Sequence, residues 1–429
     1  MPETPNTQSH NSDISKKPLL STFELVMLVA SLSALNALSI DIMLPALSDI
    51  QSEFGFANAN DRQLIILVFL GAFGIAQLVY GPLSDKFGRR AILIGALVVF
   101  LIGSVLCLIA PSFELFLAAR ALQGVGTAAT RVIATAVVRD VSSGSRMAQI
   151  MSLSMTIFMT VPIAAPGLGQ LLLLMGSWRV VFIALLVYGA GILIWTMLRL
   201  PETLPPEQRR ALNPRSVAGA YWRVLATPQS VGYMAASTFM AGALFGYVAA
   251  AEQIYRDFFK LDALFPFAFA AVAIAMSVGT SLNARFVMRL GMRRISHTMA
   301  IWFIAMGLLH AVLNLLGAHA LWVFLPLLSL TVGVFGMVAG NYNALAMEPL
   351  GNVAGSASAL YGAATATGGA ILGRFVASAY DGSLAPFLIG LVLLGLASLS
   401  CVLLTERGRL FYDPPESDVR IAVRGSQKR

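Results

Sequence analysis

The chain has 429 residues, of which 57% are hydrophobic and only 12% charged, with a formal net charge of +8. Soluble domains carry about 25% charged residues, so this composition excludes a water-soluble globule and suits a surface that faces lipid. The basic balance does not signal nucleic acid, because Lys and Arg fall in short links between apolar runs and not on one basic face.

Residues 1–22 are polar and rich in Ser and Asn, which predicts a disordered N-terminus. They lack the apolar core and cleavage site of a signal peptide, so the first apolar segment is expected to stay in the mature protein. A bilayer core of about 30 Å takes about 20 mostly apolar residues at 1.5 Å each. Twelve segments fit: 23–47, 62–82, 91–110, 114–138, 147–175, 178–200, 229–252, 264–288, 295–317, 319–345, 354–380 and 383–405. The longest polar link, 201–227, holds Pro201, Pro205, Pro206, Arg209, Arg210 and Arg215. The expectation is an all-α polytopic membrane protein of twelve transmembrane helices in two pseudo-symmetric six-helix bundles, 23–200 and 228–405, with a basic tail over 406–429.

Orientation follows from the basic residues. With the N-terminus in the cytoplasm, 22 of the 29 Lys and Arg are cytoplasmic and four are outside, while Arg120, Arg131 and Arg374 lie within spans. Both termini are therefore expected inside, in a bacterial inner membrane. Cys107 and Cys401 sit in apolar stretches and read as small buried hydrophobes. The four histidines have no ligand spacing, so no metal site is expected.

The link after the second span reads GPLSDKFGRR (81–90) and that after the eighth reads ARFVMRLGMR (284–293). Superposing Gly88 on Gly291 places Lys86 on Arg289 and Arg90 on Arg293, an offset of 203 residues. Copies at equivalent points of two halves argue for duplication, with substrate held between the halves; a positive link after an even span also follows from topology alone. Gly81 and Gly88 permit a tight turn and close helix approach. Asp85 is placed to accept from a neighbouring helix end or to pair with a nearby Arg, as a latch on the cytoplasmic side; Arg89 and Arg90 complete the candidate gating set.

Ionisable groups inside spans are functional candidates by default. Asp41, in SIDIMLPALSDI (39–50), lies in the outer half of the first span, at the depth of Arg120 in the fourth. Two readings stay open: Asp41 takes and releases the transported proton, or Asp41 and Arg120 form a static brace. Arg131 follows Arg120 by eleven residues, which puts both on one helix face about 16 Å apart. Gln123, Gly124, Gly126 and Thr127 share that helix. The fifth span holds Pro162, Pro166, Gly167 and Gly169 in VPIAAPGLGQ, a fixed bend or a pivot for a gate. Arg374 is expected to pair with Asp381, and Glu252 with Arg256. Asn36, Phe245, Tyr247, Tyr255, Asn341 and Tyr361 are candidate pocket lining, together with Gln123 and Arg131.

These residues resemble a known family. The two six-helix halves with GPLSDKFGRR look like the major facilitator superfamily. RALQGVGTAAT with Arg120, and the Pro–Gly element of the fifth span, are similar to the twelve-span drug:proton antiporters. SIDIMLPALSDI, VVRD (137–140) and NYNALAMEPLGNVAGSASALYG (341–362) resemble the bicyclomycin-resistance (Bcr/CflA) branch, which includes chloramphenicol and florfenicol exporters. The resemblance covers nearly all of 23–405. It implies that Asp41 is the first-span acid used for proton or substrate binding, Arg120 the proton-relay arginine, and Pro162, Pro166 and Gly169 the antiporter element. The sequence departs from the pattern in AP before Gly167 and in Gln170 after Gly169. With only Asp41 deep in the first span, neutral or zwitterionic substrates fit better than cations. The implied activity is proton-coupled export by a functional monomer, multi-pass in lipid, with no cofactor beyond the proton gradient.

The competing reading within transport is a proton-coupled carrier of a metabolite such as a sugar, organic acid or amino-acid-like compound. An ATP-driven exporter needs Gly before the Lys of its phosphate loop; none of the five lysines follows Gly. An intramembrane enzyme would need clustered His or acidic residues in the spans, which the sequence lacks.

Overall fold

A computed structural model describes residues 20–56, 58–209 and 214–412. The stretch expected to be disordered up to residue 19, Arg210 of the link, and the basic tail beyond residue 412 lie outside these residues. The described residues form helices and no strands. Among the described residues, eleven helices are long and apolar enough to cross a membrane. Large apolar side chains such as Leu174, Leu198, Trp322 and Leu404 point outward, each more than three-quarters exposed. An outer surface of this kind is stable only against lipid.

In chain order the helices are α1 (Thr22–Asp41), α2 (Leu47–Phe54), α3 (Leu64–Phe87), α4 (Arg89–Ile109), α5 (Phe113–Val141), α6 (Gly144–Leu173), α7 (Arg179–Arg199) and α8 (Pro214–Leu225). They continue as α9 (Pro228–Glu252), α10 (Phe265–Leu290), α11 (Met292–Leu315), α12 (Leu321–Val332), α13 (Phe335–Met347), α14 (Ala354–Ala363), α15 (Gly369–Ser378) and α16 (Ala385–Thr405). Local chemistry sets the starts. The Ser21 hydroxyl accepts from the Glu24 amide at 3.1 Å and Ser112 caps α5. Pro228 opens α9, where its missing N–H costs nothing. Gly88 and Gly291 take φ of +98° and +83° between two helices, a conformation open to glycine.

The predicted eleventh span, 354–380, is not among the eleven apolar helices. It is helical as α14, a π turn over Ala364–Gly368, and α15. Its Gly, Ala, Ser and Thr residues lower its apolarity because it packs against α3 and α9 and not mainly against lipid. The polar link also differs from expectation. Part of it folds as α8, whose Val224 is buried against Leu350 and Ala357, while the Tyr221 hydroxyl donates to the Leu78 carbonyl at 2.8 Å.

Packing recurs across the two halves. In the first, α1 packs on α6 and α4 on α7; in the second, α9 packs on α15 and α11 on α16. The halves meet where α3 touches α14 and α15, and where α6 touches α10. Exchanging the halves interchanges these two junctions.

Candidate functional site

At one end of the molecule, polar groups close the seam between the halves. Arg62, just before α3, is 3% exposed and pairs with Glu252 of α9 at 2.8 Å and with Asp257. Glu252 is 0% exposed, and Arg256 lies 3.7 Å from it. Gln63 bonds Gln253 and donates to the Ala377 carbonyl at 2.9 Å. Arg256 reaches back to the Pro45 carbonyl at 2.8 Å and to the Ser48 hydroxyl at 3.1 Å. Arg374 pairs with Asp61 at 3.1 Å and donates to the Asn60 carbonyl. The expected Arg374–Asp381 pair is therefore replaced. Asp381 instead accepts from Ser383, because the partner of Arg374 comes from the other half. The Glu252–Arg256 pair is present but looser than the one Glu252 makes with Arg62.

Beneath this seal sits Asp41, the last residue of α1, 6% exposed and four residues before Pro45. No cation pairs with it among the described residues. Tyr247 of α9, five residues before Glu252, lies within electrostatic reach of Asp41. Its ring stacks on Phe269 at 5.7 Å. Asn36, one turn earlier on α1, has a buried carbonyl oxygen with no hydrogen-bond partner. Gly169 packs on this turn, and a Cβ there would collide with the Ile42 carbonyl oxygen. Helix α6 runs unbroken through Pro162 and Pro166, so the Pro–Gly element is a close-packed face beside Asp41.

Arg120 does not pair with Asp41. Fully buried, its guanidinium donates to the Ile65 carbonyl at 3.2 Å, the Ser39 carbonyl at 2.9 Å and the Gln123 side-chain oxygen at 2.7 Å. It also lies over the Phe69 ring at 4.6 Å. Gln123 in turn donates to Ser104 at 2.7 Å. Only the planar guanidinium fork bridges three acceptors on three helices. The static Asp41–Arg120 brace is thus absent: α1, α3 and α5 are tied through backbone carbonyls, and the carboxylate of Asp41 is left over. The glycines of α5 have a packing role, since a Cβ at Gly124 would strike the Phe69 carbonyl on α3.

Arg131 lies on α5, and its side chain is exposed. Tyr361 on α14 of the other half is within electrostatic reach of it and shares a hydrogen bond with Ser237. Asn341 donates to Asn283 at 2.8 Å and to the Met337 carbonyl at 2.7 Å, which bridges α13 to α10. Phe245 packs over Gly369 and Gly373 where α9 meets α15. The lining candidates are thus spread along the seam rather than brought to one point, and Gln123 and Asn341 are engaged in bracing.

At the opposite end the charges pair within each half. The Asp85 carboxylate binds Arg89 at 2.6 Å; Arg89 also meets Asp140 at 3.1 Å, and its amide donates to Glu202 at 2.8 Å. Arg90 donates to the Met197 carbonyl at 2.7 Å. In the second half Arg293 meets Glu348 at 3.5 Å and Glu406 at 2.9 Å. Each half therefore fixes an arginine after its Gly turn to carboxylates from its fourth and sixth spanning segments. The ion pairs align Arg89 with Arg293, one position away from the register that sequence superposition gives. Gly81 needs correction: α3 continues through Gly81 and Pro82, the hydroxyl of Ser84 donates to the Gly81 carbonyl, and only Gly88 turns.

The family model of the Major Facilitator Superfamily matches residues 29–374. The chain belongs to the major facilitator superfamily. It is 32% identical over 350 residues to the uncharacterized MFS-type transporter YdgK of Bacillus subtilis, covering 79% of this chain and 84% of that one. It is 28% identical over 373 residues to a bicyclomycin resistance protein homolog of Haemophilus influenzae, covering 86% and 92%. The xylose transporter XylE from E. coli, in a partially occluded inward open conformation, superposes with a TM-score of 0.72 at 14% identity, over 92% of this chain and 100% of that one; this likeness speaks to the fold alone. This major facilitator protein is a multi-pass transporter of small molecules and not an enzyme.

Sequence reasoning missed the Arg62–Glu252–Asp257 cluster. Arg62 reads as a loop cation beside a polar stretch, and its partner is 190 residues away. It also missed Glu202, Glu348 and Glu406, whose signal was available: each is an acid at the end of a span in a chain with only 21 acidic residues.

Proposed function

We propose that this protein is a proton-coupled antiporter that exports small drug-like molecules by alternating access, with Asp41 as the proton- and substrate-responsive group. The observation that carries this reading is Asp41 itself: a carboxyl buried in the first span, paired to no cation among the described residues, beneath a seam closed by ion pairs between the halves. A desolvated carboxyl that gains and loses its partners as the seam opens and closes changes its hold on a proton. The distribution of Lys and Arg supports placing the termini in the cytoplasm, which makes the Arg62 seal the outer gate, closed in this structure. Helix α6, which carries the Pro–Gly face against Ile42, also meets α10 of the other half. Movement of that junction would therefore be felt at the turn beside Asp41. The likeness to a bicyclomycin resistance homolog favours a drug over a metabolite as cargo.

Flux direction in everted vesicles tests this. Acidifying the lumen should drive bicyclomycin or chloramphenicol inward. A proton-coupled importer of metabolites would give no drug accumulation and would instead lose preloaded solute from the lumen.

A further inference from the structure

The interior carries a cation that the transport scheme above does not use. Arg131 lies ten residues from the end of α5, about 15 Å inside a membrane-spanning helix. Its guanidinium has no ion pair and no hydrogen bond among the described residues, in contrast to Arg120, whose donors are engaged on three sides. Arg131, Thr135 and Arg139 are exposed at four-residue spacing, while most residues between them are buried. That spacing is one face of a helix. The face looks toward the opposite half and not into lipid: Ala128, one turn earlier on α5, is buried in one cluster with Phe73 and Ala76 of α3 and Ala366 of the π turn, and Tyr361, five residues before Ala366, is within electrostatic reach of Arg131. Tyr361 is itself held by Ser237 and lies three residues before the π turn of Ala364–Gly368, an element often found at functional positions. Asp41 does not neutralise this cation: Arg131 lies about 16 Å beyond Arg120, on the side away from the Asp41 level.

A positive charge with no ion pair among the described residues, set beside the junction of the two halves, focuses its field on whatever approaches it. We infer that Arg131 and the Tyr361–Ser237 pair form an anion-accepting subsite for a carboxylate, sulfonate or similarly charged oxygen group on the transported molecule. This rests on the transport reading above and narrows its substrate class. A guanidinium offers forked donors to such a group, and the Tyr361 hydroxyl supplies a further polar contact from the other half. The moving molecule would then touch both halves at once, as a cargo must if its binding is to bias their rocking. Zwitterions fit the same arrangement through their anionic end.

The test uses the full chain in phosphatidylcholine nanodiscs and two fluorescent probes with one ring system. 1-Anilinonaphthalene-8-sulfonate carries a sulfonate, and N-phenyl-1-naphthylamine does not. The protein should bind both probes above empty discs. Arg131→Gln should weaken the sulfonate probe by about tenfold or more, the scale of a hydrogen bond to a charged group. The neutral probe should change by less than about twofold, which also reports that the variant is folded. Arg131→Lys should recover part of the loss. Equal sulfonate binding by wild type and Arg131→Gln overturns the inference, as does equal loss of both probes or no sulfonate binding by wild type. Anionic lipid headgroups present the same chemistry. If phosphatidylglycerol in the disc displaces the probe and free naphthalenesulfonate does not, the subsite belongs to lipid and the substrate assignment fails. Binding is read without a proton gradient, so a failure of proton coupling leaves this result intact. Conversely, export of uncharged drugs alongside Arg131-independent sulfonate binding defeats this inference alone.

Discussion

Replacing Arg62 with alanine would strip the seam of its central cation. Glu252 is 0% exposed and Arg62 3%, and they meet at 2.8 Å across the two halves. Removing one partner of a buried pair costs about 3–5 kcal/mol, chiefly by leaving the other charge uncompensated. Arg256, 3.7 Å from Glu252, offsets part of this, leaving about 2–3 kcal/mol against the closed arrangement. That cost disappears when the seam parts and water reaches Glu252, so the ratio of closed to open falls about 30- to 150-fold. The assay is labelling of Ala377→Cys, at a site 0% exposed in the seam, with a maleimide that cannot cross the membrane. Labelling should rise by that order in Arg62→Ala. It should return near the parental rate in Arg62→Met/Glu252→Leu, since replacing both members of a buried pair by apolar groups is close to neutral. Unchanged labelling in Arg62→Ala would refute the view that these ion pairs hold the seam shut.

Other expectations follow from single positions. Arg120→Lys keeps a charge but not the planar fork that meets three acceptors; it should cost about 1.5–3 kcal/mol and lower the thermal midpoint of the purified protein, and an unchanged midpoint would show the fork to be dispensable. Gly169→Val should abolish transport by pushing α6 off Ile42, whereas Gly167→Ala, with nothing within 4 Å of the added Cβ, should leave it intact; vesicle flux separates the two. Gly88→Ala forces a side chain into a φ of +98° and against Glu202, so folded yield should drop. Gly81→Ala sits in open space within α3 and should gain up to about 1 kcal/mol of helix stability, a difference visible in paired melting curves.

What sequence alone conveys here is set by how local the physics is. Long apolar runs bounded by basic links dictate spanning helices, and the repeated glycine links mark two halves, because both signals are written within a few tens of residues. The eleventh segment was legible as helix from its length, yet its small and polar residues, which place it in the seam between the halves, make it the least lipid-like of the set. Depth was also legible: Asp41 and Arg120 do share a level, since Arg120 donates to the Ser39 carbonyl two residues from Asp41. Pairing was not. A guanidinium chooses among carbonyls, amides and carboxylates by geometry that spacing does not carry, and so Arg120 left Asp41 free. The Arg62 seal joins groups separated by 190 residues or more, and no motif announces it. Gly81 misled because glycine in an apolar run reads equally as turn or as close packing.

The central claim is that Asp41 couples proton and cargo. Substrate-induced proton release from acid-loaded everted vesicles tests it most directly, comparing wild type with Asp41→Asn across amphenicols, bicyclomycin and lipophilic cations. The account predicts release by at least one compound in wild type and none in Asp41→Asn, with the variant still inserted in the membrane. Release that persists in Asp41→Asn would contradict it.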